Sequence, residues 1–110
     1  MSQTFPEPIR RLPQADIPLE GCTAYLSQGE NHQILFMEFD RDVDVPPHSH
    51  KAQWGVVVRG KIDLTVEGIT RTLTPGDSLF IPAGAVHSAH IYAGYADVTY
   101  WDEKERYPAK

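Results

Sequence analysis

Residues 45–60, VPPHSHKAQWGVVVRG, decide how the chain folds and where its chemistry lies. His48 and His50 are separated by one residue, and the amide side chain of Gln53 follows three residues later. On an extended chain successive side chains point to opposite faces, so residues i and i+2 share a face. His48 and His50 would therefore project together, as two ligands of one metal ion must. The β-branched run that ends at Gly60 predicts a strand and a turn after the histidines.

A second stretch, GDSLFIPAGAVH at residues 76–87, ends on a third histidine, His87. Its glycines and proline bound a short apolar strand and predict a turn before His87. Imidazole suits zinc, iron, nickel, copper and manganese, and three imidazoles leave room on the ion for a fourth ligand and for water or substrate. Histidines exposed in loops are the alternative interpretation. The glycine and proline framework before His87 favours the metal site.

The rest of the chain contains short segments with strand character and no stretch with a helical period. The clearest alternation of apolar and polar residues is at residues 61–67, where Glu67 and Gly68 predict a hairpin turn that leads to residues 69–73. Further strands are predicted at residues 22–27, 33–41, 53–59, 78–81, 87–92 and 95–102. So many short strands at close, regular spacing predict an all-β sandwich or barrel.

Three parts are expected along the chain. Residues 1–20 contain four prolines, which fix φ and remove donors, so they are predicted to form an extended N-terminal arm rather than a helix. Residues 21–102 would form the barrel, and residues 103–110 a polar C-terminal tail that frays. The strand at residues 33–41 is apolar on both faces, which is typical of a strand between layers or at a subunit contact. We therefore expect a homodimer.

Composition argues against several classes of partner. The 110 residues carry a net charge of −5 with scattered Lys and Arg, which argues against nucleic-acid binding. The single cysteine, Cys22, cannot form an intrachain disulfide. No apolar run approaches the roughly 20 residues that span a bilayer, and the N-terminal residues contain no apolar core of signal-peptide length. We therefore expect a cytoplasmic protein that does not bind membranes.

The stretch around His48 resembles the first sequence motif of the cupin superfamily, whose members are double-stranded β-helix barrels of the jelly-roll type. The His-x-His pair of His48 and His50 matches that motif, and Gly60 is its closing glycine. Gln53 stands where glutamate is usual, one residue nearer to the histidines than in the common pattern. Asp42 stands where the motif opens with glycine. The first motif therefore departs from the family pattern in the identity and spacing of Gln53 and in Asp42.

The second stretch resembles the second cupin motif at the family's spacing. Four positions match it: Gly76, Pro82, Gly84 and His87. Ile91 replaces the asparagine that usually ends it. Together with the hairpin between them, the two motifs cover roughly residues 40–92, so the resemblance implies that most of the chain is a jelly-roll barrel.

The resemblance implies a divalent transition metal, either zinc, manganese, iron or nickel, held by His48, His50, Gln53 and His87. Some small bacterial cupins are similar in using glutamine at this position. A glutamine oxygen is a neutral and weaker ligand than a carboxylate, so the ion would be a stronger Lewis acid and would accept an anionic substrate more readily. The alternative is that Gln53 points away and that three histidines and water hold the metal.

The resemblance also implies a metal-dependent enzyme that acts on a small anionic organic molecule in the barrel, with isomerase, lyase, cyclase and dioxygenase chemistry all open. A non-catalytic module that binds a metal or small ligand, such as a sensor, is the alternative. No general base is placed beside the metal by sequence, although the fold could bring Asp97 or Glu38 there. His90 follows His87 by three residues and is predicted to face away from the metal, as is Trp54.

Overall fold

In a computed structural model, which describes residues 4–110, the chain folds into two antiparallel β-sheets that enclose the main core. Residues 1–3 of the predicted arm lie outside the described residues. The described part contains nine strands: β1 (Cys22–Gln28), β2 (Gln33–Phe39), β3 (Val43–His48), β4 (Gln53–Arg59), β5 (Ile62–Val66), β6 (Ile69–Leu73), β7 (Ser78–Ile81), β8 (His87–Ile91) and β9 (Ala96–Trp101). The sheets have the orders β1-β2-β9-β4-β7 and β3-β8-β5-β6. The predicted all-β jelly-roll class is confirmed.

The core lies between the two sheets because their strands alternate in burial. In β2 the side chains of Leu35, Met37 and Phe39 are buried, whereas those between them are only half-buried. β5 contributes Ile62 and Leu64 from the opposite sheet. Burial of apolar surface contributes about 25 cal/mol per Å², so this contact between sheets is the main source of stability.

The predicted hairpin forms between β5 and β6. Val66 pairs with Ile69, which leaves Glu67 and Gly68 as a two-residue turn. Both turn residues have positive φ, 48° and 82°, as a type I′ turn requires, and glycine adopts that conformation without steric cost. The turn predicted from these two residues is confirmed.

The structure adds β3, a strand that contains Pro46 and Pro47 and that the sequence pattern does not predict. Proline cannot donate to a ladder, but β3 is an edge strand paired only with β8 among the described strands, where a missing N–H costs little. The register of this pair shifts between Val45 and His48, and His48 then stands opposite His87. A bulge re-aims a side chain in this way. Here the bulge brings two of the predicted ligands, His48 and His87, opposite each other.

The N-terminal arm is not extended throughout, so that part of the prediction is wrong. Glu7–Arg10 form one helical turn, α1. Pro8 fits there because the N–H groups of a first turn have no partner within the helix. Phe5 is buried edge-on against the rings of Tyr25 and Phe36 and anchors the arm. Within residues 4–110 no helix is long and apolar enough to cross a membrane.

The prediction that the C-terminal tail frays is wrong, because the tail is packed against the barrel. The main-chain N–H of Tyr107 donates to Oε1 of Gln33 at 3.0 Å, and Nε2 of Gln33 donates to the carbonyl of Tyr107 at 2.7 Å. Gln33 is 1% exposed, and a buried amide without partners would cost about 1–3 kcal/mol. The ring of Tyr107 also packs edge-on against Trp101. The tail therefore completes the core beside the end of β9.

Candidate metal centre

Three histidine rings meet where β3 ends and β8 begins. His48 is the last residue of β3, His87 is the first of β8, and His50 lies in the loop after β3. Their ring centroids are 5.2, 4.2 and 4.5 Å apart, and one ring nitrogen from each lies within 4.8 Å of the others. Three of the four predicted ligands are therefore brought together.

Backbone carbonyls determine the tautomer of each ring. Each Nδ1 lies within hydrogen-bond distance of a carbonyl oxygen one or two residues away. The three pairs are His48 with Pro46 at 2.9 Å, His50 with Lys51 at 2.7 Å and His87 with Ala85 at 2.9 Å. A carbonyl only accepts, so in the neutral ring each Nδ1 carries the hydrogen and each Nε2 has a lone pair. Metal-binding histidines are usually oriented by such a bond from the second ring nitrogen.

The surroundings of His50 and His87 favour the neutral form of the ring, which is the form that binds a metal. His87 is 5% exposed, and burial lowers the pKa of His87 and of His50, with the neighbouring imidazoles and Arg106 acting in the same direction. Among the described residues, Nε2 of His50 is buried and has no hydrogen-bond partner. A buried polar atom without a partner is costly, and a metal ion would satisfy it. The donor set therefore fits a divalent transition metal.

Gln53, the fourth predicted ligand, lines the same cavity as His48 and His87. Its Nε2 donates to Oγ1 of Thr99 at 3.0 Å, and the Thr99 hydroxyl donates to the carbonyl of Trp54 at 3.2 Å. Because the hydroxyl gives its one proton to Trp54, the Gln53 atom that faces it must be the amide nitrogen. Oε1 is therefore the atom that Gln53 could offer to a metal. Ligation by Gln53 stays a prediction.

Gly55 makes room for this chain of hydrogen bonds. A Cβ atom at Gly55 would lie 3.1 Å from the carbonyl oxygen of Val98 and 3.2 Å from Oγ1 of Thr99. Contacts this short would force the hydroxyl to move. The glycine in the middle of β4 thus keeps Thr99 within reach of Gln53.

His48 and His87 border a cavity of about 80 Å³ inside the barrel. Its other walls are mostly apolar and come from both sheets: Met37, Phe39, Ile62, Leu64, Leu79 and Ile81. It adjoins a wider groove of about 430 Å³, with which it shares Leu19, Val45, His48 and Tyr107. A cavity of this size admits a few heavy atoms beside the histidines.

A larger groove of about 780 Å³ lies between the N-terminal arm and the tail. Of the described residues, the charged ones that line it are Lys104 and Glu105, both at the surface. None of the three converging histidines borders this groove. Size alone therefore does not mark a functional site, and the cavity lined by His48 and His87 is the candidate.

Arg106 is a cation beside the histidines that the sequence pattern does not predict, because it lies in the tail that was expected to fray. Its guanidinium carbon is 5.3 Å from the centroid of the Trp101 ring and 4.4 Å from that of Tyr107. It lines the wider groove together with His48, and its Nε is buried without a partner among the described residues. A guanidinium matches the geometry of a carboxylate or phosphate. Arg106 could therefore bind an anionic group that enters the groove.

Of the two carboxylates considered as bases, Asp97 reaches the cavity and Glu38 lines a groove at the surface. Asp97 is 5% exposed. His90 faces away from the metal site, as predicted, and its Nδ1 lies 2.7 Å from Oδ1 of Asp44. Trp54 also points outward and is 48% exposed.

The comparison with known families agrees with this geometry. The family profile described as "Cupin domain" matches residues 35–101. The chain belongs to the cupin family. The matched range contains all four predicted ligands and the whole of β9, so the candidate site lies within the part of the chain that the family profile matches.

Solved cupin structures superpose on nearly the whole chain. An RmlC-like cupin from Shewanella frigidimarina NCIMB 400 has a TM-score of 0.77 at 23% identity and covers 96% of this chain and 95% of its own. KdgF from Halomonas sp. has a TM-score of 0.73 at 22% identity, with 96% and 97% covered. Bacillus subtilis oxalate decarboxylase, a protein with Mn(II) centres, has a TM-score of 0.72 at 19% identity, with 88% and 29% covered. At these identities the likeness shows the fold.

A curated relative is H2HPP isomerase from Bacillus subtilis, which is 34% identical over 71 residues, 63% of this chain and 30% of that protein. The other curated relatives are mannose-1-phosphate guanylyltransferases, such as that of Salmonella typhimurium, of which the chain spans 13%. The chain thus spans less than a third of the length of the curated relatives it matches.

Proposed function

We propose that this cupin is a metal-dependent enzyme that acts on a small anionic organic molecule held beside the histidines. The observation that carries the proposal is the convergence of three imidazoles, one ring nitrogen of each within 4.8 Å of the others and each Nδ1 beside a backbone carbonyl. His48, His50 and His87 would hold zinc, manganese, iron or nickel, with Oε1 of Gln53 as a fourth ligand. The ion supplies a Lewis acid for a carbonyl or carboxylate oxygen.

Two features of the chain support an anionic substrate. All four proposed ligands are neutral, so they leave the charge of the ion uncompensated. Arg106 adds a second positive charge at the groove that leads to His48, and Nε1 of Trp101 is a buried donor without a partner among the described residues. A carboxylate or phosphate in the groove would pair with the Arg106 guanidinium.

Among the reaction classes open to the fold, isomerisation and lyase chemistry draw the most support. H2HPP isomerase is a relative by sequence, and oxalate decarboxylase, with Mn(II) centres, is a neighbour by fold. Neither class needs a second cofactor, and both need a Lewis acid with a proton carrier. Cyclase and dioxygenase chemistry rank below them.

The metal site is tested by removal of one ligand. We expect wild-type protein dialysed against each candidate metal to retain one ion per chain by elemental analysis. His48→Ala should weaken metal affinity by more than about 100-fold, since even outer-sphere changes cost 10–100-fold. His90→Ala is the matched control, because His90 is a histidine of β8 outside the cluster. Equal metal binding by the two variants would contradict the site.

Enzymatic function is tested with the metal-loaded protein and a panel of 2-oxo acids, sugar acids and diketones. A ligand that binds the folded state but not the unfolded state raises the melting temperature. Thermal-shift measurements therefore select candidates for turnover assays. We expect turnover in wild type and its loss in His48→Ala. Binding without turnover across the panel would favour the non-catalytic sensor instead.

A second copy of the chain is the proposed partner, on the outer face of the five-stranded sheet. Four apolar side chains stand in register across its strands: Ile34, Tyr100, Trp54 and Phe80. Trp54 is 48% and Phe80 60% exposed, and exposed aromatic patches mark protein contacts. We expect a dimer by light scattering, weakened by Phe80→Ser but not by Ile69→Ser, which removes an exposed residue of the other sheet. A wild-type monomer at micromolar concentration would contradict this partner.

A further inference from the structure

Asp97 is a buried acid whose charge is not balanced by an ion pair among the described residues. It lies in β9, between Met37 of β2 and Val57 of β4. It is 5% exposed, and no ion pair among the described residues includes it. A carboxylate in such a place is expensive, so its presence calls for an explanation beyond packing.

The two oxygens of Asp97 have different environments. Oδ2 accepts a hydrogen bond of 2.6 Å from the hydroxyl of Tyr95. Oδ1 is buried and has no partner among the described residues. Because the side chain lines the cavity that His48, Gln53 and His87 also line, a molecule held there could meet Oδ1.

We propose that Asp97 is the general acid–base residue of this enzyme, which moves a proton at a carbon next to the carbonyl of a small 2-oxo carboxylate. The proposal rests on the proposed function. In the first step the C–H bond breaks, an O–H bond forms at Oδ1, and the electron pair moves into the neighbouring carbonyl to give an enolate. In the second step Oδ1 returns the proton to carbon and the carbonyl is restored. No oxidant or reductant is needed.

The surroundings of Asp97 suit both halves of this cycle. Burial raises its pKa to about 7, while the bond from Tyr95 acts in the opposite direction, so both forms are present near neutral pH. The other titratable groups near it are the hydroxyl of Tyr95 and the thiol of Cys22, together with His48, His87 and Tyr107 in the cavity wall. Cys22 stays neutral, because burial and then the charge of Asp97 raise its pKa to about 12. Tyr95 is a positioning residue that stabilises the carboxylate.

The chain contains a matched control for this pair. Tyr92 donates to Oδ2 of Asp63 at 2.6 Å, the same bond at the surface and away from the cavity. Asp63→Asn therefore removes an equivalent hydrogen-bonded carboxylate without touching the proposed site. An effect seen in Asp97→Asn but not in Asp63→Asn is then due to the position of Asp97 at the cavity.

The test is deuterium exchange into the methyl group of pyruvate and the C3 methylene of 2-oxobutyrate in D₂O, followed by NMR with metal-loaded protein. General acid–base catalysis contributes about 10²–10⁴-fold, so Asp97→Asn should slow exchange by at least about 100-fold, with metal content unchanged. Asp63→Asn should exchange like wild type. Tyr95→Phe should move the pH at which exchange rises to a higher value, because it removes the donor that stabilises the carboxylate.

A readout without metal or substrate keeps the inference testable if a variant is inactive for other reasons. Infrared difference spectra of the metal-free protein between about pH 5 and pH 8 should show a buried carboxyl group losing its proton. Asp97→Asn should remove that band, and Asp63→Asn should keep it.

The outcomes separate this inference from the proposed function. Exchange that is lost in His48→Ala but kept in Asp97→Asn would overturn the role of Asp97 and leave a metal-dependent enzyme. Metal-loaded wild type that exchanges neither 2-oxo acid would also overturn Asp97 as proton carrier for this substrate class. The metal-binding comparison of His48→Ala with His90→Ala judges the metal centre independently of both.

Discussion

Two tyrosine–aspartate hydrogen bonds in this molecule have the same length and different consequences. Tyr95 donates to Asp97 inside the barrel and Tyr92 donates to Asp63 at its surface, each at 2.6 Å. The bonds from Thr72 and Tyr92 lower the pKa of Asp63. Burial raises the pKa of Asp97 to about 7 despite its bond from Tyr95. Access to solvent, rather than the hydrogen bond, decides the charge state of each acid.

The histidines of β8 show the same contrast over three residues. Burial lowers the pKa of His87, whereas the hydrogen bond with Asp44 raises the pKa of His90 at the surface. The interior thus holds a neutral imidazole and a carboxyl that ionises with difficulty. The exterior favours the charged forms of the same side chains. A barrel interior of this kind suits metal binding and proton transfer.

The largest effect that tests this contrast is the pH dependence of stability in Asp97→Asn. The folded pKa of Asp97 is raised from 3.8 to about 7, so the folded state keeps a proton that the unfolded state loses. Wild-type stability should therefore fall as the pH rises from about 4 to 7, by up to about 4 kcal/mol at 1.36 kcal/mol per pKa unit. Urea unfolding of the metal-free proteins should show a flatter profile in Asp97→Asn. Parallel profiles would show that the buried acid carries no such cost.

An intermediate effect is expected from the threonines that support each region. Thr99→Val removes the acceptor of the Gln53 amide and should weaken metal affinity by about 10-fold, within the range for outer-sphere partners. Thr72→Val removes the analogous donor to Asp63 at the surface and should leave metal affinity unchanged. Calorimetric titration of both variants makes the comparison. An unchanged affinity in Thr99→Val would indicate that Gln53 does not depend on this bond to face a metal.

Much of the fold could be predicted because its signals are local. The alternation at residues 61–67 and the turn at Glu67 and Gly68 depend only on near neighbours, and both are confirmed. The strand Val43–His48 escaped prediction because its two prolines argue against a strand. They are tolerated there because β3 lies at a sheet edge, and position within a sheet is a tertiary property.

The residues of the candidate site also differ in whether local sequence or tertiary packing reveals them. The two motifs locate His48, His50 and His87, which the structure brings together. Arg106 could not be found, because its place beside the rings depends on the packing of the tail through Gln33 and Tyr107, 74 residues apart.

Asp97 was a candidate base by residue type alone. Alternation along β9 places Asp97 on one face with Thr99 and Trp101, and all three are buried, so this polar face is the interior one. A polar face usually meets solvent, so the pattern does not disclose a cavity. Only the closed barrel shows that these polar groups surround the site.

The smallest effect concerns the surface pair itself. The pKa of Asp63 is lowered, first by Thr72 and then by Tyr92, so its contribution to stability is present above the unfolded pKa of 3.8 and is lost as the pH falls through the folded value. Asp63→Asn should therefore flatten the stability profile only below about pH 4, by a small amount because solvent screens the site. Urea unfolding at acidic and neutral pH measures, in one series, the pH range in which Asp63 should affect stability and the range in which Asp97 should. If Asp63→Asn instead changed the slope of the unfolding free energy against pH between about pH 5 and pH 8, the surface acid would titrate in the range assigned to the buried one. Burial would then no longer account for the difference between two acids with equal hydrogen bonds.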